Sequence, residues 1–172
     1  NNSFQPICEA APDAILLVDE QARITYANDR VRDLFGYTPS ELTGELVEVL
    51  VPVPQRENHV TYRNEYLADP VTRPMGADVE LSAQRKDGTT NPVDISLSPI
   101  KDPSGTHIVV IIRDIREQQS FRARYQQILE AVPDPVLVAE TDTGVIVEAN
   151  NQVQELFGYS PSELRGHPQT FI

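Results

Sequence analysis

The chain repeats itself. Residues from Phe4 to Gly44 align with residues from Tyr125 to Gly166, offset by about 121 positions and with one residue inserted near Thr143. Ile7-Cys8-Glu9-Ala10-Ala11-Pro12-Asp13 faces Ile128-Leu129-Glu130-Ala131-Val132-Pro133-Asp134. Leu34-Phe35-Gly36-Tyr37-Thr38-Pro39-Ser40-Glu41-Leu42 faces Leu156-Phe157-Gly158-Tyr159-Ser160-Pro161-Ser162-Glu163-Leu164, and Ala27-Asn28 faces Ala149-Asn150. Nearly half of the aligned pairs are identical, so chance is excluded. Solenoid repeats recur every ~20–50 residues; this period is that of a domain. The 172 residues therefore divide into a complete domain over 1–116, a helical linker over 117–131 and the N-terminal part of a second domain over 132–172.

Within the first unit, Ala14 to Asp19 is a short apolar run that reads as a buried strand, and Arg23 to Ala27 follows as its hairpin partner. Asn28 is expected to N-cap a helix carrying Val31, Leu34 and Phe35, which Gly36 ends in the left-handed conformation. Thr38-Pro39-Ser40-Glu41 is a capping box with proline at the first helical position. Gln55 to Leu67 reads as a helix with His59, Tyr62 and Tyr66 on one face. Pro70 and Pro74 are expected to break the chain. Val79 to Arg85, Val93 to Leu97 and His107 to Asp114 read as three further strands, the first two joined by an Asp87-Gly88 turn. Antiparallel hairpins with helices on one face make an α+β domain.

These residues resemble a family. Phe35-Gly36-Tyr37-Thr38-Pro39-Ser40-Glu41-Leu42-Thr43-Gly44, Arg85-Lys86-Asp87-Gly88-Thr89 and Ile111-Ile112-Arg113-Asp114-Ile115 are similar to the motifs of PAS domains. The resemblance runs through the whole first copy and through the second as far as it goes. It implies a five-stranded antiparallel sheet with flanking helices. It also implies a sensory and dimerisation module ahead of an output domain such as a histidine kinase of a two-component system, a chemotaxis-type transducer or a transcription regulator.

The linker from Ile115 to Ala131 has neither glycine nor proline. Phe121, Tyr125, Ile128 and Val132 follow a 4-3-4 spacing, which is a heptad seam. So short a seam is not stable alone. Either it packs on its own sheet, or it is a parallel homodimer stalk that relays strand movements to the next domain. Phe4, Ile7 and Ala11 suggest a similar helix entering the first unit.

Three ligand readings stand beside a ligand-free interaction scaffold. The stretch Pro54 to Tyr62 resembles the helix that supplies the axial histidine in haem-binding PAS oxygen sensors, which makes His59 the candidate haem ligand. Where those sensors place an oxygen-holding arginine, this chain has Val79. Flavin photochemistry needs a reactive cysteine after the capping box; the single cysteine, Cys8, lies in the entry helix and reads as an apolar packer. A small organic ligand would sit between sheet and helices, with Ile24, Leu34, Val79, Leu81, Ile95, Leu97, Val109 and Ile111 as candidate lining and His59 and Tyr62 as polar groups. Ordinary core packing is the competing assignment for most of them.

Composition sets the exclusions. With 26 acidic and 14 basic residues, a net charge of −12 suits no phosphate backbone, so no nucleic acid is expected. No run approaches the ~18 apolar residues of a membrane span, and no signal peptide is visible, so a cytoplasmic module is expected. No metal-ligand spacing such as H-x-x-x-H, nucleophile elbow or Walker loop is present, so catalysis is expected only outside this stretch. Only Lys86 and Lys101 are lysines against 12 arginines, which fits either a halophile or a GC-rich genome. The halophile reading predicts a higher urea midpoint in molar salt than in low salt; equal midpoints remove it.

Overall fold

The computed structural model describes residues 4–75, 80–102 and 105–171. It divides into two units, one ending at Arg116 and the other spanning Glu117–Ile172. The first opens with helix α1 (Phe4–Ala10), hairpin strands β1 (Ala14–Val18) and β2 (Ile24–Ala27), and short helices α2 (Val31–Phe35) and α3 (Pro39–Leu42). Helix α4 (Arg56–Ala68) follows, then strands β3 (Arg73–Met75), β4 (Leu81–Gln84), β5 (Thr90–Asp102) and β6 (Gly105–Asp114). The sheet is antiparallel in the order β2-β1-β6-β5, and β3 and β4 share the far side of β5. Six segments thus fill five strand positions. Pro74 does not break the chain as expected: it sits inside β3, an edge strand, where the missing N–H costs no ladder bond.

Asn28 also departs from expectation. The residue at the N-cap of α2 is Arg30, without a side-chain cap bond. Asn28 is fully buried instead. Its Oδ1 accepts from the Ile15 amide at 2.9 Å, and its Nδ2 donates to the carbonyls of Cys8 at 2.8 Å and Asp13 at 3.0 Å. The side chain fastens the end of α1 to the start of β1. Cys8 is buried beside it, and burial, then the Glu9 charge, pushes its thiol pKa up.

Other local signals form as read. Gly36 closes α2 at φ 78°, a left-handed conformation that glycine adopts without strain. Thr38 and Glu41 complete the capping box of α3. The Lys86 ammonium and the Thr38 amide and hydroxyl on the Glu41 carboxylate hold its pKa down to about 2. The Asp87-Gly88 turn joins β4 to β5 and places that hairpin over the end of α2. The Lys86 amide donates to the Phe35 carbonyl at 2.9 Å, and Arg85 Nη1 and Asn91 Nδ2 donate to the Leu34 carbonyl at 2.9 and 3.0 Å. Helix-end carbonyls that would lack partners are thereby satisfied. Leu16, Ile24, Val31, Phe35 and Leu42 are fully buried in the resulting core, each contributing roughly 1.5–3 kcal/mol of transfer free energy.

The second unit holds α5 (Arg116–Ala131) from Glu117 onward, the hairpin β7 (Leu137–Ala139) and β8 (Ile146–Ala149), and the short helices α6 (Val153–Phe157) and α7 (Pro161–Leu164). It repeats the asparagine arrangement. Asn150 Oδ1 accepts from Val136 N at 2.9 Å, and its Nδ2 donates to Leu129 O at 3.1 Å and Asp134 O at 2.9 Å. Asn28→Ala would leave a buried amide and helix-end carbonyls unpaired, and is expected to destabilise the first unit by about 3 kcal/mol in urea unfolding. A loss below about 0.5 kcal/mol would show that water replaces the amide at no cost.

Candidate functional site

Side chains alternate across a strand, so one face of the sheet is set by register. Ile95 pairs with Ile112 and Leu97 with Val110, which puts these residues on the same face. Together with Leu81 and Ala83 they form an apolar floor. Helix α4 and the 3-10 turn Val47–Leu50 stand opposite and contribute His59, Tyr62, Arg63, Tyr66, Val47 and Leu50. Between the two layers lies a cavity of ≈ 780 Å³. That is within the ~300–1,000 Å³ of small-molecule sites, and the wall chemistry is theirs too, mostly apolar with a few polar groups.

The structure brings His59, Tyr62, Leu81, Ile95 and Leu97 to this one cavity. It places Val109 and Ile111 elsewhere. They pair with Ser98 and Ser96 on the opposite face, and Ile111 lines a separate hollow of ≈ 380 Å³ with Asp13, Asp94 and Arg113. The residues of β6 that do line the cavity are Ile108, Val110 and Ile112, one position out of step with the expectation. The run Ile108 to Ile112 is apolar throughout, so its sequence carries no alternation from which to read the face. Ile24 and Leu34 are buried in the core away from the cavity lining. Val79 lies outside the described residues.

A polar cluster that the sequence did not reveal stands on the helical side. Glu48 is 8% exposed and sits behind the cavity wall. Arg63 Nη1 donates to both of its carboxylate oxygens at 2.9 Å, and His59 Nδ1 meets Oε1 at 3.0 Å. The carboxylate accepts, so Nδ1 carries a proton, and in the neutral form of such a ring the lone pair is on Nε2. No bond to Nε2 is present among the described residues. Two faint signals were available in sequence: Glu48 interrupts the apolar run Leu46 to Val51, and His59 and Arg63 stand at i, i+4 on α4. At the rim, the Tyr66 hydroxyl donates to Val71 O at 2.8 Å, burial pushes its pKa up, and the Arg73 guanidinium lies 5.1 Å over its ring. Among the described residues no group of His, Cys, Asp and Glu is arranged to hold a metal ion, and no helix is long and apolar enough to cross a membrane.

Known proteins share this arrangement of elements. The sensor protein FixL of Bradyrhizobium diazoefficiens is 28% identical over 125 residues, 73% of this chain and 25% of that protein. The oxygen sensor protein DosP of Escherichia coli is 26% identical over 173 residues, covering 98% of this chain and 22% of that protein. The chain thus spans about a quarter of the length of these two relatives. Among solved structures, the PAS domain of an HTR-like protein from Haloarcula marismortui superposes with a TM-score of 0.54 at 24% identity, covering 65% of this chain and 88% of that one. PAS domain family models match residues 12–117 and 123–171. With its sheet, its capping boxes and its repeated hairpins accounted for by two such matches, the chain belongs to the PAS domain family of sensory signalling modules.

Proposed function

We propose that this chain senses a small molecule in the cavity over α4, pairs with a second copy through α5, and passes the cue to an output domain elsewhere in the protein. The cytoplasm is the compartment that fits this reading. The observation that carries the pairing is the state of α5. It has no buried residue, and Phe121 and Ile128 are 71% and 66% exposed. Apolar side chains at heptad spacing gain stability when a second helix covers them. The observation that supports a ligand is the cavity itself, because β6 forms part of its floor and the chain runs from β6 directly into α5. Phe121→Glu is expected to shift the sedimentation mass from dimer to monomer while the circular dichroism stays unchanged. A folded dimer of unchanged mass would sink the stalk.

His59 supports a second reading, as a haem-based gas or redox sensor. The Glu48 carboxylate holds Nδ1, as ligand histidines in metal sites are commonly held, and leaves Nε2 for an iron. The residues present would hold such a group through the one nitrogen of His59 beside an apolar cavity, and the bound group would supply the gas or redox chemistry. The organic-ligand reading predicts a featureless visible spectrum of the purified protein and, after haem is added, only the broad absorption of free haem. A sharp Soret band that reverts to the broad absorption of free haem in His59→Ala would replace it with the haem reading.

A further inference from the structure

The polar cluster constrains what kind of molecule the cavity takes. Its charges already cancel. Arg63 is paired with Glu48 behind the wall, and Arg73 and Glu65, of opposite charge, are both exposed to solvent at the rim. A charged group entering here would meet no buried, unpaired counter-charge, and burying a charge without one is costly. Two polar atoms of the cluster have no hydrogen-bond partner among the described residues: Arg63 Nε, which is shut off from solvent, and Nε2 of His59, whose character is set from behind. Glu48 accepts the hydrogen bond from Nδ1–H, so when the ring is neutral Nε2 accepts a hydrogen bond and does not donate one. The floor of Leu81, Ile95, Leu97, Val110 and Ile112 offers only apolar contact.

The geometry points to an uncharged, largely apolar ligand carrying one hydroxyl or N–H donor, such as a phenol, an aliphatic alcohol or an indole, anchored by that donor on His59 Nε2. This rests on the proposed use of the cavity for a small molecule, and it adds the chemical class. His59 is the specificity-determining residue, and Glu48 is a positioning residue that acts through it.

Naphthyl probes of nearly equal size separate the possibilities. The protein has no tryptophan, so naphthyl fluorescence is read without a competing indole. The probes are 2-naphthol, naphthalene and 2-naphthoate, titrated against the whole chain at neutral pH. The expected result is that 2-naphthol binds about tenfold more tightly than either of the others, the factor that ~1.4 kcal/mol gives. His59→Leu keeps the Glu48–Arg63 pair and should bring 2-naphthol down to naphthalene. Naphthalene or naphthoate binding as tightly as 2-naphthol overturns the inference in the wild-type protein, before any variant is made. So does a naphthol preference that survives His59→Leu. The cavity reading fails separately, and this inference with it, if no probe binds or if binding persists in the double variant Leu97→Phe/Val110→Phe, whose rings crowd the floor.

Discussion

A single primary amide joins the three parts of each unit. An asparagine side chain has one oxygen to accept with and two N–H groups to donate. In the first unit Asn28 spends the oxygen on the first residues of β1 and the N–H groups on the end of α1 and the Asp13 turn. In the second, Asn150 does the same for β7, the end of α5 and the Asp134 turn. A glutamate assists in both. Glu9 accepts from the Asp29 amide at 3.0 Å, and Glu130 accepts from the Asn151 amide at 3.1 Å. β1, held in this way, pairs with β6 from Ala14 opposite Ile112 to Val18 opposite Ile108. That register decides which face of β6 meets the cavity. In each unit the entering helix is thus fastened to the first hairpin.

What could be read from the sequence is what neighbours a few residues apart enforce. The capping box needs only Thr38 to Glu41, the left-handed end of α2 needs Gly36, and the β4–β5 turn needs Asp87 and Gly88. What could not be read depends on partners far along the chain. Asparagine before a helix suits an N-cap equally well, and burial against residues 13 to 20 positions away decided otherwise. Likewise Glu48 meets His59 and Arg63 across 11 and 15 positions, on elements that only the fold brings together. The face of β6 was lost for a different reason, since five successive apolar residues are compatible with either face.

The repeat separates local from tertiary effects within one molecule. Gly158 ends α6 at φ 77°, as Gly36 ends α2, and Ser160 and Glu163 rebuild the capping box. Burial does not follow. Leu34 and Phe35 are 5% and 0% exposed, whereas their counterparts Leu156 and Phe157 are 65% and 37% exposed. In the first unit the β4–β5 hairpin lies on that helix end and takes up its carbonyls. The described residues of the second unit contain no equivalent hairpin. Helix-end geometry thus comes from the local sequence, and the core comes from the strands that cover it.

The position of β6 limits how anything in the cavity can act on the linker. β4 is followed by β5, and β5 by β6, within the same unit, whereas β6 runs from Ile112 through Arg113 and Asp114 into α5. Sliding is not available to it. β6 is paired on both sides, with β1 and β5, and a slip of one residue would carry Ile108, Val110 and Ile112 out of the cavity and turn the opposite face inward. Movement of the strand as a whole is what remains, a change in tilt or curvature shared with its neighbours. The junction is suited to carry that movement. The Asp114 carboxylate accepts the Arg116 amide at 2.9 Å and pairs with its guanidinium, which draws its own pKa down, so the start of α5 is tied to the end of the strand. On the proposed reading, a ligand would therefore reach the helix by bending the sheet.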